Sequence, residues 1–419
     1  MRYIADFHIH SRFSRATSQE MNIERLNFWA KVKGVDILGT GDFTHPGWLA
    51  ELKENLEEAE EGLFKLKKSQ DGVRFILTSE VSCVYSKNGR VRKIHLIIFA
   101  PSFSVVEKIN AQLSWSSNLK ADGRPTLGMD AKEVLKIVLD ASPECLVVPA
   151  HVWTPWFSLF GSRSGFDSIE ECFEEMSSYI FALETGLSSD PEMNWRWSAL
   201  DKYTLISNSD SHSPQKIGRE ANIFEGEEIS YPLLIQAIKN GGEKKDRLSL
   251  SMTVEFFPEE GKYHYDGHRF CQVRLSPKER KKYGGICPNC GKPLTIGVLS
   301  RVDELSDREK GEMPPKGVPF KKIIPLMEIL KEVKEYDSNL LPPEKEYEKL
   351  ISYFGNEFEI LLSAPLEEME KFSPKLKEAI ERMREGKVHI LPGFDGEYGK
   401  VQIFGEEEKI SSPSQKTLF

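Results

Sequence analysis

Seven short apolar runs recur along the first half of the chain, and stretches with helical spacing separate them. Asn22–Lys33, Leu49–Lys68 and Asp130–Leu139 repeat apolar residues at intervals that are typical of amphipathic helices. Strands that alternate with helices favour a parallel βα arrangement, and seven of them predict a barrel. In chain order, the runs are Tyr3–His10, Val35–Asp42, Phe75–Ser82, His95–Ala100, Leu146–His151, Ile180–Thr185 and Leu205–His212.

The first run has one apolar face and one face of metal-type side chains. Successive side chains of a strand point to opposite faces, so Asp6, His8 and His10 lie together. A single histidine is most often a satisfied core or surface residue. Two imidazoles beside a carboxylate favour a metal site, because both side chains donate lone pairs to cations.

Most of the other runs also end in residues that commonly bind metals. Barrel enzymes build their active sites at the carboxyl ends of the strands, so these residues are expected to converge. Imidazole and carboxylate ligands suit zinc, manganese or iron, and such centres hydrolyse phosphate esters. The candidates suffice for two or three ions: His8, His10, Asp42, His45, Glu80, His95, His151, Asp210 and His212.

His95 opens its run instead of ending it, and a predicted hairpin explains this position. Asn88-Gly89 is a strong signal for a two-residue turn between antiparallel strands. Pairing across that turn places His95 opposite Ser82 and diagonally next to Glu80 on the same face. A shift of one residue in this register would separate the two side chains.

A second metal-type pattern follows the predicted barrel. His268 and Cys271 form one knuckle, Cys287 and Cys290 form another, and fifteen residues separate the two. This spacing is typical of a structural zinc ribbon with one histidine and three cysteine ligands. His264 is an alternative ligand.

The predicted ribbon is basic although the chain as a whole is acidic. Seven Lys and Arg residues but one acidic residue lie between positions 269 and 292, against a net charge of −9 for the whole chain. A local basic patch favours contact with a nucleic-acid backbone, and a solvated loop is the alternative. The candidate DNA contacts are Lys278, Arg280, Lys281 and Lys282.

Two segments that follow strand ends are expected to overhang the site. The first segment is VWTPWFSLFGSRSGF, and its residues Trp153, Trp156 and Arg163 could stack on an extruded base. A hydrophobic plug that caps the barrel is an equal alternative. In ETGLSSDPEMNW, Glu184, Asp190 and Asn194 are candidates for positioning substrate or water. Asp190 precedes a proline, so it also fits a helix N-cap.

Composition excludes several classes of protein. Six cysteines in 419 residues are too few for a disulfide framework, and no apolar run is long enough to span a membrane. The sequence opens on a strand pattern instead of a signal peptide, so a cytoplasmic location is expected. The many Glu and Lys residues suit a heat-adapted protein of archaeal type.

The pattern predicts four parts. Residues 1–245 form the barrel, 246–300 the zinc-binding ribbon, 301–405 a C-terminal helical region and 406–419 a flexible tail. The helices predicted in the third part span Ile323–Tyr336, Glu344–Phe354 and Ser373–Glu385.

The HxH pair at His8 and His10 and the DxH pair at Asp210 and His212 resemble the motifs of the PHP (polymerase and histidinol phosphatase) superfamily. The resemblance covers the first 240 residues or so and implies a distorted seven-stranded (β/α) barrel. It further implies one metal held by His8, His10, Glu80 and Asp210, a second held by Glu80, His95 and His151, and a third near His212. The loop SRFSRATS and the order Asp42-Phe-Thr-His45 depart from the superfamily pattern, which affects the third metal most.

The order of barrel, HRFC/CPNC ribbon, helical region and ETGLSSDPEMNW segment resembles the endonuclease Q family over nearly the whole chain. The resemblance implies a DNA repair enzyme that hydrolyses the phosphodiester 5′ to deoxyuridine, deoxyinosine, deoxyxanthosine or an abasic site. The expected cofactors are Zn²⁺ in the ribbon and in the active site, with Mg²⁺ or Mn²⁺ as further options for catalysis. The expected catalytic residues are Glu80, Asp190, Asp210 and His212.

The tail SQKTLF resembles the start of a motif that binds the sliding clamp, through Gln415, Leu418 and Phe419.

Two other functions stay open. A PHP-type phosphatase for small molecules would share the chemistry, although a small substrate needs neither ribbon nor helical region. A nonenzymatic adaptor for DNA and the clamp would carry a degraded barrel, although the ligand set is complete.

Overall fold

The computed structural model describes residues 1–69, 72–243 and 247–408, so the predicted clamp-binding tail lies outside the described residues. The strands are β1 (Arg2–Asp6), β2 (Ile37–Gly39), β3 (Leu56–Glu60), β4 (Leu63–Leu66), β5 (Arg74–Lys87), β6 (Arg90–Ala100), β7 (Thr126–Leu127), β8 (Leu146–Pro149), β9 (Ala182–Glu184), β10 (Thr204–Ile206), β11 (Ala221–Gly226), β12 (Leu248–Glu255), β13 (Asp266–His268), β14 (Val273–Leu275), β15 (Phe320–Lys322), β16 (His389–Leu391) and β17 (Lys400–Gln402). The α-helices are α1 (Ile23–Lys33), α2 (Pro46–Asn55), α3 (Phe103–Leu113), α4 (Ala131–Ala141), α5 (Ile169–Phe173), α6 (Pro191–Asn194), α7 (Tyr231–Asn240), α8 (Pro277–Lys282), α9 (Val298–Leu305), α10 (Leu326–Tyr336), α11 (Pro343–Phe354), α12 (Leu366–Glu370) and α13 (Pro374–Arg384). None of the described helices is both long and apolar enough to cross a membrane.

Each of the seven predicted runs contains a strand of a distorted barrel. Strands β1, β2 and β5 pair in parallel, β5, β6 and β8 pair antiparallel, and β9 and β10 form a separate parallel pair. The side between β10 and β1 is closed by a single bridge, Ile9 to Ser211, which explains the distortion. The predicted fold, a PHP-type barrel with a ribbon and a helical region, is confirmed.

An apolar core fills the barrel beneath the carboxyl ends of its strands. Phe7 packs there against Phe99 and Phe224, with ring centroids 5.4 and 6.0 Å away. Every barrel strand contributes at least one buried residue to this core, including Ala5, Ile37, Ile76, Val148, Ala182 and Ile206. The polar residues above it therefore rest on a closely packed apolar layer.

The hairpin of β5 and β6 has the predicted register. Asn88 and Gly89 adopt φ values of 53° and 71°, and this left-handed turn favours the sequence Asn-Gly. Ser82 pairs with His95, as predicted. The hairpin thereby brings His95 beside Glu80 at the mouth of the barrel.

The predicted helix Leu49–Lys68 is wrong in its second half. Helix α2 ends at Asn55, and the antiparallel pair β3 and β4 follows. The side chains of Leu63, Phe64 and Leu66 are buried in this hairpin, so the same apolar residues that suggested a helical face serve a sheet instead. The periodicity of these apolar residues fits both a helix and a strand, and their packing in the folded protein selects the strand.

The sheet continues across the predicted boundaries of the ribbon region. Strand β11 pairs with β1, β12 with β11, and β15 with β12. The ribbon itself is built on the separate hairpin of β13 and β14. The division into four domains stays a prediction.

The C-terminal helices follow the predicted spans closely and pack against the barrel. Lys33 at the end of α1 donates to Glu357 at 2.6 Å, and both side chains are buried. Glu357 also accepts from the hydroxyl of Tyr347 at 2.6 Å and from the backbone N–H of Leu326 at 3.0 Å. This carboxylate therefore links the barrel to the helical region.

Lys33→Met should lower the free energy of unfolding by about 3–5 kcal/mol, because it leaves the Glu357 charge buried without its partner. The double variant Lys33→Met/Glu357→Gln should recover part of that loss. The matched control Lys371→Met, in an exposed pair with Glu368, should change it by at most about 1 kcal/mol. Chemical denaturation measures all three, and equal effects of Lys33→Met and Lys371→Met would contradict the prediction.

Candidate active site and metal centres

Four side chains converge at the mouth of the barrel to form the first cluster. The Nε2 atom of His10 lies 3.1 Å from Oδ1 of Asp210 and 3.3 Å from Oε2 of Glu80. The Nε2 atom of His8 lies 3.7 and 3.6 Å from the same two oxygens. The two Nε2 atoms and Oδ1 of Asp210 are buried without a hydrogen-bond partner. Buried lone pairs that share one point fit a divalent cation.

A second cluster uses the other oxygen of the same glutamate. Oε1 of Glu80 lies 2.6 Å from Nδ1 of His95 and 3.0 Å from Nε2 of His151. These two nitrogens lie 3.2 Å apart. Glu80 therefore faces one cluster with each carboxylate oxygen, which is the geometry of a carboxylate that bridges two cations.

The surrounding charges keep the carboxylates of Glu80 and Asp210 in the charged form that binds cations. Burial alone would raise the pKa of Glu80, but His95 and Arg124 hold it well below its usual value. Burial would likewise raise the pKa of Asp210, and His8 and His10 lower it. Burial lowers the pKa of His95 to about 4. Both carboxylates are thus charged. Burial would lower the pKa of His8 and His10, but the neighbouring carboxylates raise both, so a bound cation would have to displace protons from these rings.

Two further carboxylates orient the histidines of the first cluster by contacting the ring nitrogen that does not face the cluster. Glu184 lies 3.0 Å from Nδ1 of His8 and accepts from the backbone N–H of His151 at 2.8 Å. Asp42 lies 3.0 Å from Nδ1 of His10, and its other oxygen accepts from Ser11. Because Nδ1 is held, Nε2 of each ring points into the cluster. Asp42 itself lies outside both groups of described metal-type side chains, and its role as a ligand stays a prediction.

His45 and His212 lie outside both clusters among the described residues. The Nδ1 atom of His45 accepts from the N–H groups of Gly47 and Trp48, so His45 caps helix α2. Its Nδ1 atom is therefore engaged in the cap, and the metal role of His45 stays a prediction. The ring of His212 lies 4.5 Å from that of His10 at the rim.

The structure places Asp190, Asn194 and Trp153 in supporting contacts, which agrees with the alternatives of a helix N-cap for Asp190 and a hydrophobic plug for Trp153. Asp190 caps helix α6 by accepting from Met193 at 2.8 Å, and it forms an ion pair with Lys322 at 2.7 Å. Asn194 accepts from the indole N–H of Trp153 at 2.7 Å, and both side chains are fully buried. These three residues support the segment above the barrel instead of facing the cluster.

Trp156 lines a cavity of about 470 Å³. Thr154, on the same wall, lies 3.3 Å from Nδ1 of His151, so one residue of the wall contacts a residue of the second cluster. Trp156 is 40% exposed and Arg163 lies over its ring at 6.0 Å. The wall also includes Tyr263, Tyr398, Phe256, Lys216, Arg219 and Lys262.

The predicted zinc ligands are brought together as predicted. The ligand atoms of His268, Cys271, Cys287 and Cys290 all lie within 4.8 Å of one another. The apolar core of the ribbon is very small and consists of Val273, Leu275, Cys287 and Leu294. A core of this size needs a metal to fold stably. His264 is buried elsewhere and stacks on Tyr265, so it does not serve as an alternative ligand.

The basic patch of the ribbon is partly neutralised by helix α9. Arg280 pairs with Glu304 at 3.1 Å, and Lys281 pairs with Asp303 at 2.6 Å. Arg280 and Lys281 therefore link the ribbon to helix α9 through ion pairs. Lys278, Lys282 and Lys292 are exposed, and within the described part of the chain they form no ion pair.

Sequence reasoning missed Arg124, and it gave Glu184 only a general role in positioning substrate or water. Arg124 donates to Oε2 of Glu80 at 3.0 Å from a loop that carries no strand pattern. Glu184 does end a predicted strand, which was the available signal. No local signal marks Arg124, because its partner lies 44 residues away in sequence.

Solved structures and a family model resemble this chain. A lesion-specific endonuclease of Pyrococcus furiosus, PfuEndoQ, aligns with 30% identity over 97% of this chain and 96% of its own, with a TM-score of 0.85. A second endonuclease Q structure, a complex with a 27-mer duplex substrate that has an abasic lesion at the active site, aligns with 29% identity over 99% of both chains, with a TM-score of 0.83. The family model of the MJ0043 C-terminal domain matches residues 325–387. The protein MJ0043 of Methanocaldococcus jannaschii is 36% identical over 260 residues, which are 60% of this chain and 31% of that protein.

The barrel, the paired clusters around Glu80 and these structural matches define a metal-dependent phosphodiesterase of the nuclease type. Within that class, the chain belongs to the endonuclease Q family.

Glu184→Gln should weaken metal binding in the first cluster by about 10–100-fold, because His8 loses the carboxylate that holds its ring. Titration of the metal-free protein with Zn²⁺ or Mn²⁺ measures the effect. The matched control Glu228→Gln, at an exposed glutamate paired with Arg247, should bind as the wild type does. Equal affinity in Glu184→Gln and the wild type would contradict the assigned role.

Cys287→Ser should remove one zinc ion per chain and destabilise the ribbon, because the metal supplies much of the folding free energy of so small a core. Elemental analysis and proteolysis of the region around α8 measure both effects. The matched control Cys145→Ser, at a buried cysteine outside the ribbon, should keep its zinc. Unchanged zinc content in Cys287→Ser would contradict the prediction.

Proposed function

We propose that this chain is a DNA repair endonuclease that hydrolyses the phosphodiester 5′ to deaminated bases and abasic sites. The deaminated bases are uracil, hypoxanthine and xanthine, and the product carries a 3′-hydroxyl. The observation that carries the proposal is the pair of clusters that share Glu80, together with an aromatic cavity whose wall residue Thr154 contacts His151. The relative that was solved with an abasic duplex at its active site supports the same substrate class.

The residues present fit two divalent cations in the active site. His8, His10, Glu80 and Asp210 would hold one, and Glu80 with the pair His95 and His151 would hold the other. Bound cations would supply an acidified water and charge neutralisation at the phosphate. Zinc suits the imidazole-rich second group, and Mn²⁺ or Mg²⁺ remains compatible with the carboxylates of the first.

The aromatic cavity would accept the nucleotide that leaves the helix. An enzyme that acts at a damaged base extrudes it, and mispaired bases cost least to extrude. Trp156 and Tyr263 lie with their ring centroids 5.5 Å apart, which provides a face for stacking. Lys262 lies over the rings of Tyr263 and Tyr398 and is a donor for the carbonyl that deamination creates.

The remaining basic residues would hold the DNA backbone. Lys278 and Lys282 on α8 and Arg163 near the cavity are exposed, so they can reach phosphates without breaking an internal ion pair. Lys281 would first have to leave Asp303. We also propose that Gln415, Leu418 and Phe419 contact a sliding clamp, on the basis of sequence alone.

A panel of oligonucleotides with uracil, hypoxanthine, an abasic site or no damage tests the proposal. The wild type should nick the three damaged strands 5′ to the lesion. Asp210→Asn and His8→Ala should lose nicking while they retain DNA binding in a gel-shift assay, because both variants remove a ligand and leave the DNA surface intact. Turnover of p-nitrophenyl phosphate without nicking would favour a small-molecule phosphatase, and zinc in the ribbon alone would favour an adaptor.

Trp156→Ala should reduce nicking at uracil and hypoxanthine by about 10-fold or more, since stacking contributes about 1–3 kcal/mol per base. Nicking at an abasic site should change little, because no base enters the cavity. The matched control Trp115→Ala, at a tryptophan that is 89% exposed and does not line the cavity, should behave as the wild type. Equal losses on all three lesions would contradict the assignment of the cavity.

A further inference from the structure

Arg124 lies at the rim of the clusters on a loop that is held tightly in place. The loop connects α3 to β7, and Gly123 donates from its backbone N–H to the carbonyl of Phe13 at 3.0 Å. A Cβ atom on Gly123 would lie 2.4 Å from oxygens of Asp42 and Ser14, so no other residue fits there without a shift. The position of Arg124 is therefore fixed by its neighbour.

The guanidinium of Arg124 is aimed at the shared carboxylate and is open to solvent on its other side. Its Nη1 atom donates to Oε2 of Glu80 at 3.0 Å, and 28% of the side chain is exposed. Glu80 raises the pKa of this guanidinium, so the group is charged at every working pH. The described residues offer no second hydrogen-bond acceptor to its remaining N–H groups.

At the mouth of the barrel, the described metal-type side chains form two groups, which would hold two cations. His45 caps a helix, and His212 lies at the rim outside both groups. Arg124 is the positive side chain that contacts the clusters directly. A phosphodiester that is cleaved gains charge on its nonbridging oxygens, and arginine is suited to that charge because its planar fork donates two parallel hydrogen bonds.

We propose that Arg124 is a catalytic residue that binds a nonbridging oxygen of the scissile phosphate and takes the place of a third metal ion. The proposal rests on the proposed function. Cations held by the oxygens of Glu80 would compete with Arg124 for them, and the guanidinium would then be free to face the phosphate. A purely structural role, in which Arg124 only holds Glu80 for metal binding, is the competing explanation.

Arg124→Ala and Arg124→Lys test the proposal in the full-length protein on the uracil and abasic oligonucleotides. We expect Arg124→Ala to lower kcat by about 10²–10³-fold, which is typical for removal of one donor to a developing oxyanion. Its affinity for DNA and its content of zinc and manganese should match the wild type. Added guanidinium chloride, or the lysine of Arg124→Lys, should restore part of the rate.

The matched control is Arg15→Ala. Arg15 is 83% exposed and pairs with Asp122, two residues before Arg124, instead of with Glu80. Its loss removes the same charge from the chain but should leave kcat within a few-fold of the wild type.

Three results would overturn the proposal. A wild-type kcat in Arg124→Ala removes any catalytic role, and loss of metal from that variant assigns Arg124 a purely positioning role. A slow variant that neither guanidinium nor lysine restores shows that charge at this position is not what the reaction needs. Absence of nicking by the wild type would instead contradict the proposed function itself.

Discussion

The structure depends on a buried carboxylate, that of Glu80, whose two oxygens serve two groups of imidazoles. A buried charge without compensation is strongly unfavourable, so the fold must surround it with partners. His10 and His8 lie on one side, and His95 and His151 lie on the other. The register of the β5–β6 hairpin is the element that makes this possible, because it sets His95 beside Glu80 across the strands.

The cluster is held by three kinds of interaction at increasing distance. Glu184 and Asp42 hold the far nitrogens of His8 and His10, and Asp6 accepts from the backbone N–H groups of Ser209 and Gly218. The segment between those two N–H groups carries Asp210. Beneath all of these groups lies the apolar core of the barrel. The arrangement is pre-organised, and cations would meet ligands that are already in position.

The sequence predicted the parts of this arrangement that have local signals. Strand alternation placed His8 and His10 together, the Asn-Gly turn set the register of His95, and the cysteine spacing located the ribbon ligands. It could not decide the roles of His45 and Asp190, because a metal-type side chain before a proline is also a helix cap, and the structure shows both residues capping helices. It missed Arg124, because a loop residue with a distant partner leaves no periodic pattern.

The most direct test of the shared carboxylate is anomalous diffraction from crystals grown with Zn²⁺ or Mn²⁺. We expect two anomalous peaks at the mouth of the barrel, about 3.5–4 Å apart, and each should contact one carboxylate oxygen of Glu80. A separate zinc peak should lie in the ribbon. A single peak at the barrel, or two peaks that do not both contact Glu80, would contradict this expectation.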